Sequence, residues 1–300
     1  MGTQDGRQPD GHAPEPVGVI PGGGGASRLA PLPFSKELYP VGFRATPQGP
    51  RSKAIANYLI DALQLAGVRR AFWLLDKRKA DVFSYFGGGA GHGLQLAYVP
   101  TDASPSVVHT LACGSAFFEE RPVLFGFPDI VFEPADAFER LWQRLRQGSA
   151  DVVLGAVPAP PEQIADRVEL DARGTLKAVR VKPLDRPQDP AWFIAAWQPR
   201  FTAFLRTWLE RDLSVSDGSG PDELYLGHAV EAARRAGMSV EVETFQGGCF
   251  IDAGTPEGLR LALARYGAAG DVTTAGARAP RGAPLAIGPP DRSAGGNSEG

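Results

Sequence analysis

The stretch VIPGGGGASRL at residues 19–29 sets four glycines after a short apolar run, with an arginine three residues past the last of them. Glycines alone leave two readings open. A bare backbone can turn its N–H groups inward as an anion-binding nest, and Gly-rich segments are also flexible joins. The apolar run at 17–21 reads as a buried strand that ends at the glycines. Beyond Arg28 comes APLPFSKELYPVGF, with Lys36 ahead of another apolar stretch. Whether the loop holds phosphate depends on what the rest of the chain supplies.

Outward from the loop, strand and helix patterns alternate. Residues 52–66, SKAIANYLIDALQLA, are apolar at helical spacing and stop at Gly67, which predicts a helix. RRAFWLLD reads as the next strand, ending at Asp76, and 81–86 as a short helix. LQLAYVP is a strand, and 107–118 is helical. PVLFGFPDIVF is strand, loop and further apolar residues. Residues 136–147 put Phe138, Leu141, Trp142 and Leu145 on one helical face. ADVVLGAVPA is again a strand. Such alternation predicts a mostly parallel sheet with helices on both faces, a Rossmann-like α/β fold whose ligands sit at the carboxyl ends of the strands. The glycine loop, Asp76, Thr101, Asp102 and Asp129 all fall near such ends.

From about residue 158 the pattern changes. RVELDARGTLKAVRVKP reads as a hairpin turning through 171–174, DPAWFIAAWQP as a strand, and RFTAFLRTWLERD and DELYLGHAVEAARRAG as helices. SVEVETFQGGCFIDAGTPEGLRLALARY gives a strand pair and a last helix, capped by Thr255 with Pro256 at its first position. These elements are expected to form a subdomain that closes one side of the cleft. One domain is therefore expected over 17–266, in two parts, 17–157 and 158–266. The segments 1–16 and 267–300, rich in Gly, Pro and Ala, are expected to be disordered tails.

Of the 300 residues 43% are hydrophobic and 22% charged, enough for a sizeable core. A formal net charge of −3 disfavours a protein that wraps nucleic acid, yet leaves room for a small phosphorylated ligand. Cys113 and Cys249 have no metal-type spacing and read as reduced, mostly buried thiols. No run approaches membrane-spanning length and no signal peptide is seen, so the cytoplasm is the expected location.

The order of the Gly-rich loop, Arg28, SKELYPV, GFPDIVFE, RVELDARGTLKAVRVKP and FIDAGTPEGL resembles the sugar-1-phosphate nucleotidyltransferases, especially the glucose-1-phosphate thymidylyltransferase-like branch. The resemblance runs from about residue 17 to residue 266 and implies a nucleotide-binding part at 17–157 and a sugar-phosphate-binding part at 158–266. It implies transfer of a nucleotide from a nucleoside triphosphate to a sugar 1-phosphate with release of pyrophosphate, dependent on Mg²⁺. It places the triphosphate on the loop Gly22, Gly23, Gly24, Gly25, Ala26 and Ser27 with Arg28 and Lys36, and the sugar phosphate on Lys182. It assigns the metal to Asp129 and Asp252. The family's base-reading glycine and glutamine fall on Val107 and Thr110. GASR stands where the family has Gly-Thr-Arg, and Val181 replaces the glutamate before the lysine. The implied partners are a nucleoside triphosphate and a sugar 1-phosphate, with no nucleic acid and no membrane, and self-association is left open.

The chemistry fits these residue types. An attacking phosphate, a triphosphate and the transition state between them are all anionic, so the protein must neutralise and orient them. Arginine's planar fork suits the β- or γ-phosphate, and lysine a single oxygen. Magnesium takes hard oxygen ligands such as the two aspartates. A sugar phosphate is already ionised, so no general base is required. A dinucleotide fingerprint fails because Arg28 stands at its third glycine and residues 44–53 hold no acid for the ribose. The Walker pattern fails for want of Gly-Lys-Ser/Thr. Two other readings stay open: a non-catalytic relative that binds a sugar nucleotide, and a cytidylyltransferase acting on another phosphorylated alcohol. His109 reads as packing in a helix, and Trp192 and Trp197 as core residues, with Trp192 also able to stack on a sugar.

Overall fold

The computed structural model describes residues 14–24, 28–102, 104–160, 163–185, 188–215 and 224–267, with only the backbone of 211–215. The expected tails lie outside these residues apart from 14–16 and 267, as do Gly25, Ala26 and Ser27. The elements run β1 (Val17–Gly22), β2 (Pro40–Arg44), β3 (Arg51–Ala54), α1 (Ile55–Leu65), β4 (Arg70–Asp76), α2 (Ala80–Phe86), β5 (Gln95–Thr101), α3 (Val107–Gly114), β6 (Val123–Gly126), β7 (Ile130–Glu133) and α4 (Ala137–Gln147). Then follow β8 (Val152–Val157), β9 (Arg167–Leu170), β10 (Leu176–Arg180), β11 (Ala191–Trp197), α5 (Pro199–Val215), α6 (Leu226–Arg235), β12 (Val240–Thr244), β13 (Cys249–Asp252) and α7 (Pro256–Tyr266).

The main sheet is mostly parallel, as expected. β1 is buried throughout and lies between β4 and β6, parallel to both, and β5 extends the sheet beyond β4. β11 is the antiparallel insertion: it fits between β6 and β8, and β12 closes that edge parallel to β8. Every residue of β8 and β11 is buried, so both strands need hydrogen-bonded neighbours and a covered face on each side. The second half of the chain is thus built into the sheet through β11 and β12. The β9–β10 hairpin hangs from the start of β11 through the pair Ala191–Arg167.

Side chains alternate between the two faces. Along β1, Ile20 packs on one side with Leu59 of α1 and Phe138 of α4, while Val17 and Val19 pack on the other with α3, α5 and α6 residues such as Leu111, Phe201 and Val230. The layers are helix, sheet, helix. α4 buries Phe138, Leu141 and Leu145, the face its spacing predicts.

Three local expectations are corrected. α1 begins at Ile55 rather than at residue 52, because Arg51–Ala54 pairs with β2 and the Asn57 side chain accepts the Ala54 N–H at 2.9 Å. β12 and β13 do not pair with each other: β12 joins β8, and β13 runs antiparallel to β7 in a separate two-stranded ribbon. Cys113 is exposed and Cys249 half-buried, both free. Cys113 lies off the α3 face that buries Val108, Thr110 and Leu111.

Candidate functional site

A cleft of about 320 Å³ opens at the carboxyl ends of β1 and β6. Of the residues singled out in the sequence, Gly22, Gly23, Gly24, Arg28, Lys36, Val107, Thr110, Asp129, Lys182 and Asp252 all line it. The topology explains the convergence. β1 delivers the glycines, and the turn after β6 delivers Asp129. The β7–β13 ribbon pairs Asp252 with Ile130, and the Ala253 N–H donates to the Asp129 carbonyl at 2.9 Å. A carboxylate near the carboxyl terminus of the domain is thereby set beside one from its middle.

Lys36, in a single turn of 3-10 helix, donates its ammonium to Asp129 Oδ2. Burial alone would raise the Asp129 carboxyl, but the charge and hydrogen bond of Lys36 hold it below the usual range. Burial works equally against the Lys36 ammonium, and Asp129 keeps its pKa raised. Among the described residues Asp252 has no such cation in contact: burial and the negative charge of Asp129 push its carboxyl up. Arg28 Nη1 stands 4.0 Å from Asp252 Oδ2, beyond hydrogen-bond length, on a mostly exposed side chain. Gly254 leaves the space between them open. A Cβ there would lie 2.6 Å from Asp129 Oδ2, 3.0 Å from Asp252 Oδ1 and 3.2 Å from Lys36 Nζ, so all three groups face one point.

The far side of the cleft carries Lys182, whose ammonium sits 3.7 Å over the Tyr225 ring, a cation–π contact. Asp166 and Trp192 line the same side. Burial pushes the Asp166 carboxyl up to about 6, against the lowering charge of Lys182. The Trp192 indole N–H is buried and has no partner among the described residues. Trp197, by contrast, is core, with its indole N–H donated to Thr202 at 2.9 Å.

Other candidates stand apart or are already engaged. The Asp76 carboxylate is taken by Arg78, which lowers its pKa to about 2, and Asp102 pairs with Lys77 at 2.7 Å. Neither these two nor Thr101 lines the cleft, because β4 and β5 lie on the far side of β1 from β6. Thr110 is buried against Gly23, with its hydroxyl donated to the Ser106 carbonyl at 3.2 Å. The Ser106 hydroxyl caps α3 and lies 2.8 Å from His109 Nδ1, which accounts for that histidine structurally.

Sequence reasoning missed Glu37 and Asp166. Glu37 is buried, and one carboxylate oxygen accepts Lys79 Nζ at 2.5 Å while the other has no partner among the described residues. Its adjacency to Lys36 was the available signal. With these two, the described lining of the cleft holds four carboxylates and three cations, Arg28, Lys36 and Lys182. A polyanionic ligand entering such a cleft needs further positive charge. Among the described residues no group of three or more His, Cys, Asp or Glu side chains comes together as a complete metal cage. Two hard carboxylates facing one open point nonetheless fit Mg²⁺, which takes its remaining ligands from water and substrate phosphate.

No protein-family model matches the sequence, and no curated protein matches it. Solved structures do match. A Bacillus anthracis protein described as a glucose-1-phosphate thymidylyltransferase, solved with sucrose, superposes with a TM-score of 0.69 at 17% identity over 83% of this chain and 94% of its own. UDP-glucose pyrophosphorylase from Acinetobacter baumannii gives 0.66 at 15% identity over 84% and 93%. The UTP-bound form of the Acinetobacter enzyme gives 0.64 at 14% identity with the same coverage. At these identities the likeness speaks for the fold alone: this chain shares the fold of the Bacillus protein and the Acinetobacter enzyme.

Proposed function

We propose that the protein transfers a nucleotide from a nucleoside triphosphate to a sugar 1-phosphate, giving an NDP-sugar and pyrophosphate. The observation that carries this reading is the convergence of Lys36, Asp129 and Asp252 on one point beside the glycine loop, with Lys182 across the same cleft. The N–H groups of the loop and the Arg28 fork hold the β- and γ-phosphates. Lys182 takes the incoming phosphate. One of its oxygens attacks the α-phosphorus in line, the bond to the bridging oxygen breaks, and that oxygen leaves on pyrophosphate. Lys36 faces the charge that develops on the α-phosphate and leaving group. Asp129 and Asp252 would hold Mg²⁺, which would neutralise phosphate charge. Thr110 is buried and bonded within its own helix, so the base meets backbone groups and Val107 rather than a long amide side chain.

The test is a matrix of nucleoside triphosphates against sugar 1-phosphates and other phosphorylated alcohols with Mg²⁺, scored by pyrophosphate release. Release with at least one sugar 1-phosphate is the expected result. Turnover only with a phosphorylated alcohol moves the acceptor class. No turnover beside tight NDP-sugar binding in calorimetry would make the chain a binding protein.

A further inference from the structure

Asp166 stands one residue before β9, between the loop that follows β8 and the hairpin. The backbone N–H groups of Lys182, just after β10, and of Gly227, in the first turn of α6, face its carboxylate and favour its charged form. Its own carbonyl accepts the Trp192 N–H at 3.1 Å. Four segments of the chain therefore meet at this one residue.

The fit is close. A Cβ on Gly227 would lie 2.6 Å from Asp166 Oδ2, so only glycine there admits the carboxylate. Lys182 has φ 42°, the left-handed region, which a residue with a side chain seldom occupies without support. Its ammonium then lies over Tyr225, the residue that precedes α6. Backbone and side chain of Lys182 are thus both fixed against the start of one helix, the backbone through Asp166.

We infer that Asp166 is a positioning residue for the acceptor side of the cleft: by tying the Lys182 main chain to α6, it holds the lysine ammonium where the incoming phosphate binds. This rests on the role given to Lys182 above. The two effects a carboxylate can have here differ in sign. As a bare charge Asp166 repels phosphate, and its removal tightens binding. As a tether its removal frees a strained backbone carrying a flexible four-carbon stem, and binding weakens. The inference requires the tether to dominate.

The experiment titrates inorganic phosphate calorimetrically into the full chain and into Asp166→Asn, Gly227→Ala and Lys182→Ala. Asp166→Asn removes the charge and keeps the shape, whereas Gly227→Ala keeps the charge and displaces it. Both are expected to weaken phosphate binding about tenfold, toward the Lys182→Ala value. In turnover both should raise KM for the sugar phosphate by a similar factor, with KM for the triphosphate unchanged. Phosphate bound by Asp166→Asn as tightly as by the parent, or more tightly, overturns the inference. So does phosphate binding insensitive to Lys182→Ala, or a rise in both KM values together. If Gly227→Ala fails to fold, the isosteric Asp166→Asn decides alone. Absence of turnover in the parent protein defeats the proposed reaction, while the phosphate titration still reports on Asp166.

Discussion

Among the described residues the Lys36 ammonium pairs with Asp129, and in the proposed reaction it also faces the phosphate. Replacing it by alanine removes the cation from the developing charge and leaves Asp129 buried without its partner. Pyrophosphate release by Lys36→Ala is expected to fall in kcat by about 10²-fold or more. Asp252→Asn keeps the shape and removes the charge of one proposed metal ligand, so its deficit should shrink at high Mg²⁺ or with Mn²⁺. Parent-like kinetics of Asp252→Asn at limiting Mg²⁺ would take that residue out of the metal site. Asp166 gives a prediction in pH. Its carboxyl titrates near 6 in the folded chain, above its unfolded value of 3.8. The stability it contributes is therefore complete below about pH 4 and lost as pH rises through 6. Urea unfolding should show the parent losing stability relative to Asp166→Asn across that window, on the order of 1–2 kcal/mol for a partly exposed group. A difference independent of pH would contradict the assigned environment. At this scale Lys36, Asp129 and Asp252 were legible through the motifs SKELYPV, GFPDIVFE and FIDAGTPEGL, whose family resemblance singles them out, and all three line one cleft. Asp166 carries no such mark, because the contacts that define it come from the Lys182 turn and from α6.

Elements were legible in proportion to how local their causes are. The stripe of α4 and the Thr255–Pro256 start of α7 are set within a few residues, and both are present. The start of α1 and the partners of β12 and β13 depend on strands far along the chain, which periodicity does not encode. Two substitutions probe this scale. The Thr255 hydroxyl accepts the Gly258 N–H at 3.0 Å, so Thr255→Ala should cost about 1 kcal/mol in chemical denaturation. Arg167 is buried, and its guanidinium donates to the carbonyls of Ala159, Pro160, Gln163 and Asp189, binding the loop after β8 to the lead into β11. Arg167→Met leaves those carbonyls without their donors and should destabilise by roughly 2–4 kcal/mol. A loss below half a kcal/mol would mean that water replaces the guanidinium at no cost.

For the molecule as a whole, alternating strand and helix patterns predicted the layered, mostly parallel sheet. The antiparallel β11 was not predicted, since a strand buried on both faces reads the same in either direction. Among the described residues no helix is long and apolar enough to cross a membrane. Composition sets the core within 17–266, so deleting residues 1–13 and 268–300 should leave turnover unchanged and the melting temperature within a few degrees. A larger fall by calorimetry would show that one of these segments packs on the domain.

The β7–β13 ribbon also bears on the order in which the molecule matures. Asp252 reaches Asp129 only through β13, near the end of the described chain. A polypeptide leaving the ribosome has β1, β4, β5 and β6 in hand long before that strand exists, and domains form from the N-terminal side as synthesis proceeds. Until β13 pairs, the nascent chain carries the glycine loop, Lys36 and Asp129 but half of the carboxylate pair. Nascent chains stalled before residue 249 should therefore release no pyrophosphate, and activity should begin only when the ribbon has cleared the exit tunnel.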